Sequence, residues 1–208
     1  MTDTIVSIEW DLFQQVQNIG GRASCQDDRE TFFIMRASQL DAWTPAMRKS
    51  YLADLHAAVE DGRSPLSEKY AYMMERTDPV GYARVKDALP PRSPEKLALI
   101  DFICAVHVDW LRKLSRKFPL LTGRGRNIDR SWDTPYSTSM ETYLYGELST
   151  YSLKTLTLYR DFVEQLQQAG QNLNELILRN TVLRYGYSSL EETEAHLARG
   201  AEQQEGTT

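Results

Sequence analysis

Apolar side chains recur at intervals of three and four along nearly the whole chain, and no stretch alternates apolar with polar at period two. The punctuation between these periodic stretches is helical. At Thr44-Pro45, Ser64-Pro65, Asp78-Pro79 and Ser93-Pro94 a capping side chain stands directly before proline. Proline suits the first helical position because its missing N–H has no intrahelical partner there, and the preceding residue accepts a bond from an orphan amide. Thr138 with Glu141, Asn172 with Glu175 and Ser188 with Glu191 have the spacing of capping boxes. The pattern predicts helices near 3–18 (closed by Gly20-Gly21), 26–42, 45–61, 65–76, 79–88, 94–117, 138–150, 152–169, 173–185 and 189–199. Phe118 to Ser137 remains as a loop of 20 residues, and 200–208 as a disordered polar tail. The expected fold is all-α, a compact bundle of nine or ten helices in a single domain over 1–199. The corner at Ala88 to Ser93 is the best candidate boundary within it.

Composition narrows the function more by exclusion than by assignment. The chain has 208 residues, 41% of them hydrophobic, and a net charge of −5. A phosphate-coating protein carries a basic surplus, so no nucleic-acid partner is expected. No apolar run approaches the roughly 18 residues of a membrane span, and the first residues lack a basic, then apolar, leader. These features predict a cytoplasmic protein without a membrane partner. Cys25 and Cys104, far apart and outside any CxxC pair, read as free thiols, although one disulfide between them is open. His56, His107 and His196 make no metal-binding spacing, and His107 falls on an apolar helix as a hydrogen-bonded core histidine would. A carboxylate-bridged di-iron bundle would need Glu-x-x-His motifs, which are missing. With no phosphate loop, dinucleotide fingerprint or GxSxG motif, neither metal nor cofactor is expected.

Chemistry is suggested where polar residues stand on apolar stripes. From Met140 the inward stripe is Met140, Tyr143, Leu144, Glu147, Leu148 and Tyr151. Glu147 is its only charge, and burying a carboxylate is costly unless it is paired, protonated or beside a wet pocket. It is either an internal ion pair pinning two helices or a site carboxylate. Lys69 stands in the same way between Leu66 and Met73. It either snorkels to the surface or points inward to Glu147 or to an anionic ligand. Arg36, on a helix apolar all round at Phe32 to Met35, is a natural partner for Glu147 or Asp28. Ahead of it, Gly20-Gly21-Arg22-Ala23-Ser24-Cys25-Gln26-Asp27-Asp28 leads into a helix start. Backbone amides there suit an anion, and Cys25 beside them would be a nucleophile, but Ser24 with Asp27 is also a plain cap. In the long loop, Arg124 and Arg126 are flanked by glycine and either clamp an anion or stand in solvent.

The Gly20 to Asp28 segment, continuing to Phe32, Met35-Arg36 and Ser38-Gln39, resembles a bacterial family of unknown function. So do Glu68-Lys69-Tyr70 and the run from Glu141 to Ser152. In some relatives the domain is joined to a nucleotidyltransferase-like domain. The resemblance implies a small bacterial cytoplasmic domain and supplies no activity. The expected function is a small metal-independent enzyme doing acid/base or elimination-type chemistry on a polar anionic metabolite, in specialised-metabolite biosynthesis. Glu147, Cys25, Asp28 and Lys69 are its expected catalytic residues. Arg22, Gln26, Arg36, Gln39, Tyr70, Arg126 and Tyr143 are its expected substrate-binding residues. The alternatives are a non-catalytic module binding a small molecule or a protein, and a structural scaffold or homodimer in which Glu147, Lys69 and Arg36 form an internal ion network.

Overall fold

The computed structural model describes residues 1–17, 21–134 and 136–205, and among these it contains eleven α-helices and no strand. They are α1 (Thr2–Gln14), α2 (Arg29–Asp41), α3 (Pro45–Glu60), α4 (Pro65–Thr77), α5 (Pro79–Val85) and α6 (Pro94–Lys117). After them come α7 (Pro119–Thr122), α8 (Met140–Ser149), α9 (Leu153–Gln168), α10 (Leu173–Arg184) and α11 (Leu190–Glu205). The four residues before proline all cap as their chemistry dictates. Thr44, Ser64, Asp78 and Ser93 accept from the backbone amides of Met47, Ser67, Gly81 and Lys96. Asn172 caps α10 through the amides of Asn174 and Glu175.

Differences from the sequence expectation arise where partners compete. The second helix begins at Arg29, not Gln26, because Asp28 takes the capping position and the Ser24–Gln26 segment is a separate 3₁₀ turn. The caps of α8 and α11 fall one residue later, on Ser139 and Ser189. Glu141 accepts instead from the Arg130 amide, and Glu192 from the Ser188 amide. The long loop holds the single turn α7, which the rigid φ of Pro119 favours. The first helix stops at Gln14; the end expected at Asn18 and Gly20 lies outside the described residues, as do 206–208. α11 runs to Glu205, past Gly200 where the tail was expected to begin, through a sequence of good helix formers.

Ile5, Leu40, Met47, Leu55, Ile100, Ile103, Leu148, Leu156, Val163 and Leu173 are fully buried and draw α1, α2, α3, α6, α8, α9 and α10 around one core. A smaller apolar cluster of Leu114, Phe118, Val182 and Leu190 lies where the end of α6 meets α7, α10 and α11. The corner before α6 is no domain boundary. Arg92 donates to Tyr145, Ser149, Glu75 and Tyr82 and stacks 4.5 Å over the Tyr72 ring, while Tyr72 donates to the Pro90 carbonyl.

His107 is a core histidine, as its position on an apolar helix implies. Its Nδ1 faces the Asn174 carbonyl oxygen at 2.8 Å and its Nε2 the Tyr159 hydroxyl at 3.1 Å. Asn174 also donates to the His107 carbonyl, which fixes its amide orientation and makes Nδ1 the protonated nitrogen. Burial lowers the ring from 6.5 to about 4, partly opposed by Asn174 and Glu147. The unfolded chain therefore binds the extra proton first, and stability is full above pH 6.5 and declines as pH falls towards 4. The loss is on the order of 3 kcal/mol. Urea midpoints measured between pH 7 and 4.5 are expected to fall, and His107→Gln, which titrates nothing there, to flatten the slope.

Candidate functional site

The floor of the candidate site is a network of buried charges. Glu9 of α1, fully buried, receives both Arg36 Nε at 2.8 Å and Arg36 Nη2 at 2.5 Å. The bidentate fork uses the planar guanidinium as it best binds a carboxylate. Tyr51 donates to the same Glu9 at 2.6 Å. The remaining Arg36 nitrogen, Nη1, reaches Gln39 Oε1 at 2.7 Å and Glu147 Oε1 at 2.9 Å. Glu147 Oε1 also accepts from Tyr151 at 2.7 Å and Gln39 Nε2 at 3.2 Å, and its Oε2 accepts from Lys69 Nζ at 3.3 Å. Two carboxylates and two cations thus meet inside the bundle, with phenols and an amide filling the remaining lone pairs.

Burial and charge oppose each other here, and charge wins. Burial alone would push the Glu147 carboxyl up, but the Arg36 and Lys69 cations and the Tyr151 hydroxyl hold it well below the usual carboxylate range. Burial would likewise strip the Lys69 proton, yet the neighbouring Tyr143, Glu147 and Tyr70 raise its pKa. Arg36 is held charged in the same way, by Glu147 and Glu9 against its burial. Burial first, then Glu9 beside Tyr51 and Glu147 beside Tyr151, keep both phenols protonated.

A cavity of about 340 Å³ opens above this floor. Glu147, Lys69, Arg36, Cys25, Asp28, Tyr70, Arg126 and Tyr143, all expected at the site, line it. Phe13, Phe32, Leu66 and Met140 supply much of the wall. Lys69 Nζ sits 3.6 Å from the centre of the Tyr143 ring and 5.7 Å from that of Tyr70. The Arg126 guanidinium lies 4.9 Å from the Tyr143 ring centre and donates to the Thr138 carbonyl. Asp28 is an exposed cap whose bond from the Thr31 amide lowers its pKa. Cys25 is exposed within the 3₁₀ turn rather than at the start of α2, and Cys104 is buried, so the two thiols are free.

Three expected binding residues do other work. Arg22 is drawn away to Asp27, Gln14 and the Gln26 carbonyl. Gln26 is buried and fastens its turn to the end of α1, donating to the Phe13 and Val16 carbonyls and accepting from the Ala23 amide. Gln39 touches Arg36 and Glu147 from behind and does not line the cavity. Glu9 and Tyr51 were missed. Glu9 carried a signal, since it stands four residues after Ile5 and four before Phe13 on an apolar stripe, as Glu147 does on its own.

Gly146 brings the two cation-bearing and anion-bearing helices together. A Cβ there would lie 2.6 Å from Met73 Cγ and 2.7 Å from the Lys69 carbonyl oxygen. Only a residue without one lets α8 approach α4 closely enough to set Glu147 against Lys69. Among the described residues, no group of three or more His, Cys, Asp or Glu stands together as metal ligands, and no helix is long and apolar enough to cross a membrane.

The family described as protein of unknown function (DUF4125) matches residues 1–195, and the chain belongs to it. No curated protein and no solved structure matches the chain.

Two substitutions test the floor. Glu147→Gln leaves Arg36 and Lys69 facing a neutral amide inside the bundle and is expected to cost about 3–5 kcal/mol in chemical denaturation. Gly146→Ala gains about 1 kcal/mol of helix propensity but loses about 1–3 kcal/mol to the clash. Its melting temperature is therefore expected to fall, against the usual direction for Gly→Ala in a helix.

Proposed function

For this member of a family of unknown function, we propose the binding of a small anionic molecule with an apolar or aromatic body, held in the cavity over the Lys69–Glu147 pair. The observation that carries the reading is the state of Lys69. Its ammonium is buried and lines the cavity, and among the described residues it makes one hydrogen bond, 3.3 Å long, from three available donors. An anion in the cavity completes its coordination, Arg126 supplies a second cation at the wall, and the rings of Phe13, Phe32, Tyr70 and Tyr143 enclose the body. The volume falls within the roughly 300–1,000 Å³ of small-molecule sites.

In this reading Glu147 is an anchor rather than the proton-transferring carboxylate expected from sequence. General acid/base work is best done by a group whose pKa lies near the working pH. Glu147 is displaced below the carboxylate range, and Lys69 and Tyr70 are displaced upwards, away from neutrality. Metal-independent acid/base or elimination chemistry on the same anion is the second reading. One observation favours it: the exposed thiol of Cys25 and carboxylate of Asp28 line the same cavity as Lys69.

Benzoate and phenyl phosphate, titrated at neutral pH and followed by protein NMR and calorimetry, test the binding. Saturable shifts are expected around Tyr70 and Tyr143. Arg126→Ala, at an exposed charge, is expected to weaken binding roughly three- to tenfold. Lys69→Met is expected to abolish it, with partial rescue by Lys69→Arg. Neither compound perturbing the cavity overturns the proposal. In the catalytic reading, Cys25→Ser and Asp28→Asn preserve affinity but stop consumption of the bound molecule.

A further inference from the structure

We infer that the cavity over Lys69 is the head of a longer site, and that a second cavity beside it takes the straight hydrocarbon chain of an anionic amphiphile, a long-chain carboxylate or alkyl phosphate. The inference rests on the anion-binding reading above and extends it to the class of ligand. The second cavity, about 610 Å³, lies among the end of α6, α7, α10 and α11 and is walled by Leu114, Leu121, Ile177, Leu178, Val182 and Leu197. It is a gap in the smaller apolar cluster, so water within it would have few partners.

The Tyr185 and Tyr187 hydroxyls aside, the neutral polar groups of its wall make little demand on a ligand. The hydroxyls of Thr122, Thr181 and Thr193 bond the Phe118, Ile177 and Ser189 carbonyls of their own helical turns. Asn174 is held by His107. What the wall offers is apolar surface, which suits a hydrocarbon and repays each methylene withdrawn from water.

Continuity and charge point to the head. Met35 and Gly125 line both cavities, an unbranched flexible side chain and a residue without one. On either side of Gly125, Arg126 lines the first cavity and Arg124 the second. Arg124 has no hydrogen bond or ion pair among the described residues, so an exposed cation without a protein partner stands beside Gly125, where the two cavities adjoin. A carboxylate or phosphate near Lys69 and Arg126, with its chain laid over Met35 into the second cavity, satisfies both halves.

The test compares chain lengths on the whole protein: butanoate against dodecanoate and dodecyl phosphate, kept below their micelle concentrations. Wild-type protein is expected to bind the twelve-carbon probes roughly a hundredfold more tightly than butanoate. Leu178→Trp fills the second cavity and is expected to erase that gain while leaving butanoate affinity unchanged. Leu197→Glu, at a half-buried position of α11, is expected to do the same by charge and serves if the tryptophan variant fails to melt cooperatively. Affinity independent of chain length in wild-type protein, with butanoate still lost in Lys69→Met, overturns the chain site and leaves the anion site standing. Lys69→Met without effect on any probe overturns both. A preference for dodecanoate over dodecyl phosphate, or the reverse, identifies the head group.

Discussion

The structure turns on the Arg36 guanidinium. It grips Glu9 with two nitrogens and Glu147 with the third, and so ties α1, α2 and α8 at one point inside the bundle. Lys69 brings α4 to the same point from the other side of Glu147. The sum of these four charges is zero, and each sign finds its opposite at hydrogen-bonding distance. That balance is what lets ions remain in an interior where isolated ones would be neutralised or expelled. An apolar core of the same volume would hold the helices as well. A charged floor beneath an open cavity instead leaves a cation facing a space that a molecule can enter.

The local features of the fold were legible and the competitive ones were not. A Ser, Thr or Asp before proline has one good use, and all four such pairs start helices where expected. Ser139 and Ser189 cap one residue beyond the predicted positions: Glu141 is taken by the Arg130 amide, and Glu192, not the expected Glu191, accepts from Ser188. Gln26 looks like the first residue of a helix. It is instead the buried clasp of a turn, and only the orphan carbonyls at the end of α1 explain why.

The same division runs through the candidate site. Glu147 and Lys69 betrayed themselves as charges on greasy stripes, and Arg36 as their complement. Glu9 obeyed the identical rule. Arg22 seemed suited to an anion, but its partners, Gln14 and Asp27, are set by how the turn folds back on α1. The second cavity had no signature in the chain, because a gap between helices depends on how their side chains fail to meet. The depth of the floor depended on one residue that adds nothing to it, Gly146.

The Arg92 corner has a practical consequence. Its guanidinium is clamped between rings and hydrogen-bonded to three different stretches of chain, so the Arg92–Ser93 peptide cannot extend into a protease cleft without dismantling the junction of α4, α6 and α8. Arg124 and Arg130, by contrast, stand exposed in the connection between α7 and α8. Trypsin would cut the native molecule at such exposed arginines, at Arg124 beside the Gly125 that borders both cavities, and spare the corner until the bundle opens as a whole.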